Sequence, residues 1–323
     1  VAITREQAAW FADSFGKLVA NVEKALVGKT HAVRLALTCL MSEGHLLLED
    51  VPGTGKTLLA KSLANTIQGS HKRIQFTPDL LPSDVTGVSI PDPQTMEFEF
   101  HRGPLFASVV LADEINRASP KTQSALLEAM EEGKVTNEGV SYPLPNPFIV
   151  IATQNSIEQS GTYPLPEAQL DRFLMKTLLG PPDHDTTVGL LADAANRNRS
   201  AAVEPLITAE AASAMRRLAA TVHVDHAVLS YIARIAEETR NAKDVKLGVS
   251  TRGSLALVRA AKTWAAANGR DHVIPDDVKA LAEPVLNHRV LLTPEAEFNG
   301  VTPVDVVHRI LADVPPPVDR GAA

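Results

Sequence analysis

Val51-Pro52-Gly53-Thr54-Gly55-Lys56-Thr57 follows the apolar run His45-Leu46-Leu47-Leu48. A strand that ends in a Gly-rich loop closing on Lys-Thr has the form of a P-loop, built to hold a triphosphate. Gly53 and Gly55 let the backbone turn tightly, so that its N–H groups point at phosphate oxygens. Lys56 is expected to reach the β- and γ-phosphates, and the Thr57 hydroxyl to ligate Mg²⁺. A helix expected from Leu58 to Ile67 adds its positive N-terminal end. The expected nucleotide contacts are therefore Pro52, Gly53, Thr54, Gly55, Lys56, Thr57 and Leu58. The full pattern asks for Gly at position 50, where this chain has Asp50.

Two further apolar runs support the reading. Ser108-Val109-Val110-Leu111-Ala112 ends in Asp113-Glu114, and Phe148-Ile149-Val150-Ile151-Ala152-Thr153 ends in Gln154-Asn155. An acid at the end of the strand beside a P-loop can hold the Mg²⁺ shell, which suits Asp113. A second acid beside it can polarise an attacking water, which suits Glu114. An amide at Asn155 could orient the same water. Ligands of open α/β sheets bind at the carboxyl ends of the strands, where these residues fall.

The composition sets the class. At 323 residues the chain has room for one large domain or two ordinary ones, and 45% hydrophobic content is that of a globular protein. A net charge of −7 argues against a general nucleic-acid binder. The single cysteine, Cys39, lies in the apolar stripe of an expected helix and reads as a buried thiol, which with no disulfide fits a reducing cytosol. No run is long enough to span a membrane, and the first thirty residues hold no signal-peptide core. The chain begins at Val1, and a few native residues are expected ahead of it.

Strand and helix signals alternate up to Gly180-Pro181-Pro182. Strands are expected at His45–Glu49, Arg73–Thr77, Ser108–Ala112, Phe148–Thr153 and Phe173–Leu178. This predicts an α/β fold with a mostly parallel five-stranded sheet. Beyond that point only helices are expected: Asp185–Asn196, Thr208–Ala220, His226–Asn241, Arg252–Asn268, Pro275–Glu283 and Pro303–Leu311. The expected domains are residues 1–181 and 182–323. Two stretches interrupt the sheet pattern. Thr86–Phe106 contains the alternating Met96-Glu97-Phe98-Glu99-Phe100, and Gly133–Pro147 has a turn at Asn137-Glu138-Gly139 between two short strands. His223 and His226 have H-x-x-H spacing but no third ligand nearby, and Lys121, Arg216 and Arg217 read as solvated helix faces.

Taken together, these segments resemble the MoxR family of AAA+ ATPases. The resemblance is carried by Glu49 to Thr57, by Leu111-Ala112-Asp113-Glu114-Ile115-Asn116-Arg117-Ala118, by Gln123-Ser124-Ala125-Leu126-Leu127-Glu128-Ala129-Met130, by Ile151-Ala152-Thr153-Gln154-Asn155 and by Leu165 to Phe173. It runs from about Val19 to the end. It implies a P-loop αβα core with a helical lid. It also implies one hairpin inside the second core helix, near 86–106, and another before the sensor-1 strand, near 133–147. Asn155 would be sensor 1. Arg172 would be an arginine finger reaching a neighbouring subunit's γ-phosphate, the alternative being a surface pairing with Asp171 or Glu167. Arg252 would be sensor 2, the alternative being a helix cap or ion pair. Val27-Gly28 would be the adenine-contacting turn. Arg117 could face a neighbouring subunit or the substrate path.

The resemblance further implies ATP and Mg²⁺ as ligands, hydrolysis to ADP and phosphate, and a homo-oligomeric ring, by expectation a hexamer. It implies chaperone-like maturation of client complexes, with von Willebrand factor A-type domain proteins as partners. Two other classes stay open from the residues. One is a nucleic-acid motor, which the acidic balance disfavours. The other is an ATP-dependent binding module with slow turnover, which Glu114 disfavours.

Overall fold

The structure, a computed structural model, describes residues 2–51, 53–94, 97–155, 161–192 and 199–317. Pro52, Met96 and the expected helical residues 193–196 lie outside that set. The chain divides into two compact units. One comprises residues 17–165 and 177–213, and the other residues 1–16, 166–176 and 214–323. Helix α1 (Arg5–Glu23) contributes to both.

In the nucleotide-binding unit, helix α2 (Thr30–Met41) leads into β1 (Leu46–Glu49), and α3 (Lys56–Thr66) into β2 (His71–Gln75). The one-turn helix α4 (Pro82–Thr86) opens a hairpin of β3 (Gly87–Pro91) and β4 (Phe98–Arg102). Strand β5 (Val109–Asp113) and helix α5 (Pro120–Glu132) precede a second hairpin, β6 (Lys134–Asn137) and β7 (Val140–Pro143). Strand β8 (Ile149–Gln154) follows, then the short helix α6 (Glu167–Leu170), which is counted with the other unit, β9 (Met175–Thr177), which spans the division, and α7 (His184–Ala192), again in the nucleotide-binding unit. The main sheet has five strands in the order β2-β5-β8-β1-β9.

Strands β5 and β8 are buried from Val109 to Asp113 and from Ile149 to Thr153. Their unbroken apolar runs suit central parallel strands covered on both faces. β2 is the edge, with Lys72 and Arg73 exposed. It starts two residues earlier than the sequence suggested, because a charged edge strand carries little apolar signal. Parallel pairing sets Gln75 beside Asp113, and Glu49 beside Gln154. The polar strand ends therefore share one edge.

The first hairpin leaves from the end of α4 and returns into a turn, so it is not enclosed by one helix. Its base is drawn tight at two glycines. A Cβ on Gly87 would lie 2.3 Å from His101 O, and one on Gly103 would lie 2.4 Å from Val85 O. The two hairpins touch each other. Phe100 stacks on Tyr142 with ring centroids 4.3 Å apart, and Asn137 Nδ2 donates to Ser89 Oγ at 2.5 Å.

Helix α8 (Ala209–Ala220) crosses from one unit to the other. The second unit is mostly helical, with α9 (His226–Asn241), α10 (Thr251–Ala267), α11 (Pro275–Leu286), α12 (Pro294–Phe298) and α13 (Pro303–Asp313). Four of these five start on a side-chain cap, α11 being the exception; in α9 Asp225 accepts from Ala227 N at 2.7 Å, and in α10 Ser250 accepts from Gly253 N at 3.1 Å. Helices are not the whole of it. A small antiparallel pair joins β10 (Val245–Leu247) to β11 (Leu291–Leu292), strands too short to give a periodic signal. Arg216 also departs from expectation. It is buried, because Ala212, Met215, Arg216 and Ala219 form one helical stripe facing inward. Arg217 and Lys121 are exposed, as are His223 and His226, while Cys39 is fully buried. No cluster of three or more His, Cys, Asp or Glu side chains that could hold a metal ion occurs among the described residues.

Candidate functional site

The loop between β1 and α3 is held open by its glycines. Gly53 has φ +88° and Gly55 φ +100°, left-handed values that favour glycine. Lys56 opens α3 and turns back over the loop, its Nζ donating to Asp50 O at 3.1 Å and Val51 O at 3.3 Å. Asp50 is buried, and its carboxylate is fully occupied. Oδ1 accepts from Val51 N at 3.0 Å, and Oδ2 from Leu179 N at 2.7 Å and Gly180 N at 3.0 Å. The residue that departs from the simple glycine pattern thus ties the loop to the chain segment after β9.

The ends of β5 and β8 face the same space. Thr153 is a buried relay: its hydroxyl donates to Asp113 Oδ1 at 2.6 Å and accepts from Glu114 N at 2.9 Å. Glu114 takes a left-handed conformation, φ +56° and ψ +50°, rare for a residue with a side chain and costly to hold. Its Oε2 accepts from Gln75 Nε2 at 3.0 Å and Arg117 Nη1 at 3.2 Å. Arg73 donates from Nη2 to Asp113 Oδ2 at 2.6 Å and to Gln75 Oε1 at 2.9 Å.

A cavity of about 430 Å³ gathers these groups. It brings Gly53, Gly55, Lys56, Thr57 and Leu58 together with Asp113, Glu114 and Asn155. Arg73 and Gln75 from β2 line it as well. The donor set fits a hard divalent cation, since Thr57 brings a hydroxyl and Asp113 a carboxylate to the lining of this cavity.

Val27 and Gly28 lie exposed in the turn before α2. Gly28 has φ +74°, and a Cβ there would meet Thr186 Oγ1 at 2.8 Å. Beside it, Lys29 Nζ donates to Gly180 O at 2.9 Å and Pro181 O at 2.6 Å.

Arg172 and Arg252 belong to the helical unit. Arg172 follows α6, and Arg252 lies in the first turn of α10. Asp171, the residue before Arg172, accepts at Oδ1 from Arg289 Nε at 2.6 Å and at Oδ2 from Oγ of Ser250, the N-cap of α10, at 3.1 Å. Each oxygen of Asp171 is therefore engaged, one by Arg289 and the other by Ser250. Burial pulls the Arg289 pKa below its ordinary value, while Asp171 pulls it back. Its neighbour His288 is held well below the ordinary imidazole value by burial, with Arg289 and Lys176 adding to the drop and the Phe173 carbonyl opposing it.

Residues 45–175 match the family described as ATPase family associated with various cellular activities, and residues 237–310 match the AAA lid domain. A crystal structure of a candidate ATPase from Cytophaga hutchinsonii superposes with a TM-score of 0.90 at 38% identity, over 97% of this chain and 98% of that one. Chaperone MoxR1 of Mycobacterium tuberculosis is 40% identical over 92% of this chain and 81% of its own length. Protein MoxR of Paracoccus denitrificans is 31% identical over 86% of this chain and 88% of its own. The chain belongs to the MoxR family of AAA+ ATPases. A Bacillus subtilis protein, YeaC, is also 50% identical over 95% of this chain.

The MoxR-type architecture is an AAA+ αβα core with a five-stranded parallel sheet and a helical lid. Sequence reasoning missed three groups in it. Arg73 and Gln75 stand two apart on β2 and so face one side of the strand. That spacing was readable, but it became meaningful only once β2 was seen beside β5. Thr153 looked like the last apolar-run residue, and nothing in the sequence marks its hydroxyl as a relay.

Proposed function

We propose that this MoxR-family protein hydrolyses ATP to ADP and phosphate and uses the energy to remodel client protein complexes. The observation that carries the reading is the convergence of Lys56, Thr57, Asp113, Glu114 and Asn155 on one cavity. In this reading Lys56 leaves its backbone carbonyls to engage the β- and γ-phosphates, while Gly53, Thr54, Gly55 and Leu58 form the phosphate cradle. Thr57 and Asp113 hold Mg²⁺, which when bound neutralises charge on the phosphate oxygens. Glu114 polarises the attacking water, and Asn155 orients it. Val27 and Gly28 contact the base.

Arg172 is the finger that one subunit offers to the next, and Arg252 is sensor 2. Both follow from the MoxR pattern together with the need for positive charge on the γ-phosphate in the transition state. The working form is a ring, by proposal a hexamer. Proteins with von Willebrand factor A-type domains are the proposed partners, and the two joined hairpins are the proposed client-facing parts. Exposed Val88, Ile90, Phe98 and Val140 on the hairpins support that role. The net charge of −7 disfavours a nucleic-acid motor, and no helix among the described residues is long and apolar enough to cross a membrane. We place the protein in the cytoplasm.

The test is capture by Glu114→Gln protein in ATP, with ADP as control. ATP-dependent recovery of a von Willebrand factor A-type domain protein supports the reading. ATPase activity stimulated by DNA or RNA, with no such capture, contradicts it.

A further inference from the structure

Arg172 lies in a short connection, and one distant residue holds that connection on both sides of it. Arg289 Nη2 donates to Asp171 O at 3.1 Å and to Phe173 O at 2.6 Å. Its Nη1 donates to Leu174 O at 3.2 Å and also to Val285 O. Its Nε donates to Asp171 Oδ1 at 2.6 Å. The carbonyls just before and just after Arg172 are thus fixed by one guanidinium, as is the carboxylate of Asp171.

The Arg289 side chain is only 3% exposed, so it cannot itself meet a ligand in solvent. Space is kept for it. A Cβ on Gly253 would lie 2.7 Å from Arg289 Cδ, so the glycine of Ser250-Thr251-Arg252-Gly253 leaves room for the arginine's stem. Burying a guanidinium is costly, and an ion pair so placed is weak evidence for stability alone. An apolar side chain could hold the connection against the core, yet it would not fix three carbonyls. A planar fork with five donors does, and a lysine with one ammonium does not.

We propose that Arg289 is a positioning residue for ATP hydrolysis: gripping Asp171, Phe173 and Leu174, it presents Arg172 in a fixed place to the neighbouring subunit. The proposal rests on the reading of Arg172 as a finger acting in trans.

Directional mixing tests it. Lys56→Ala subunits can donate a finger but have no working site, and Arg172→Ala subunits have a site but no finger. Their co-assembled mixture sets the reference ATPase rate. Adding Arg289→Lys to the finger donor should lower that rate at least tenfold. Adding it to the site donor should leave the rate within twofold. A merely structural role would lower both directions alike. Equal losses, or no loss in the donor direction, overturn the proposal. If the reference mixture itself shows no recovery although co-assembled, the finger reading fails and this proposal falls with it, at a step that separates the two. Should Arg289→Lys not assemble, Asp171→Asn carries the same test, with at least a threefold loss expected in the donor direction only.

Discussion

Arg73 closes on Asp113, its Nη2 2.6 Å and its Nε 3.2 Å from Oδ2 of the acid that ends β5. A cationic group thus sits on the carboxylate assigned to the divalent cation. In this arrangement Arg73 compensates the charge of Asp113 when no metal does. Arg73→Met should leave the Asp113 carboxylate with its Thr153 hydrogen bond but without a compensating cation. Binding of a fluorescent ATP analogue in EDTA should then weaken about tenfold, equivalent to about 1.4 kcal/mol, while affinity in excess Mg²⁺ changes no more than about twofold. Equal weakening in both conditions would show that Arg73 contacts the nucleotide directly rather than standing in for the metal.

Asp50 makes a second test, because its replacement by glycine would restore the commonest P-loop pattern. The structure predicts harm from that change. Three backbone N–H groups would lose their acceptor, two of them in the segment after β9. Leaving even one or two buried donors unpaired costs about 1–3 kcal/mol each. Asp50→Gly should therefore lower the unfolding free energy by about 2 kcal/mol or more in urea titrations. An unchanged midpoint would mean that these hydrogen bonds contribute nothing net.

His288 gives the helical unit a pH dependence. Burial holds the folded imidazole neutral, so its folded pKa lies below the ordinary value of 6.5. Between those two values the unfolded chain binds a proton that the folded chain does not. This contribution is therefore complete above pH 6.5 and is lost as the pH falls below it, with a slope of up to about 1.4 kcal/mol per pH unit. Unfolding free energies at pH 7.5 and pH 5.5 should differ more in the parent than in His288→Gln by about 1 kcal/mol. A variant with the parent's pH slope would place the protonation elsewhere.

The parallel sheet and the glycine turn between β1 and α3 were legible because each rests on local chemistry. An unbroken apolar run reads as a buried strand, and Gly-x-Gly-Lys-Thr has few uses other than phosphate binding. What escaped notice depends on neighbours distant in sequence. Arg73 gains its role from Asp113, which lies 40 residues away. Arg289 gains its role from a segment more than a hundred residues earlier, with only Gly253 as a sequence trace of its stem. The stacking of Phe100 on Tyr142, which joins the two hairpins, likewise requires both hairpins to be folded before it exists. Local pattern reports on strands and loops, whereas side-chain pairs across elements emerge only from the fold.

Glu114 is where the account is most directly exposed. It holds a left-handed backbone at the end of β5, lines the cavity with Lys56 and Thr57, and is assigned to water activation. Single-turnover hydrolysis of bound, radiolabelled ATP compares the parent with Glu114→Gln. The amide keeps the shape and cannot take a proton, so ATP affinity should stay within about threefold while the hydrolysis rate falls at least about a hundredfold. A Gln variant that turns over bound ATP at the parent rate would contradict the assignment of Glu114, and with it the proposed hydrolytic site.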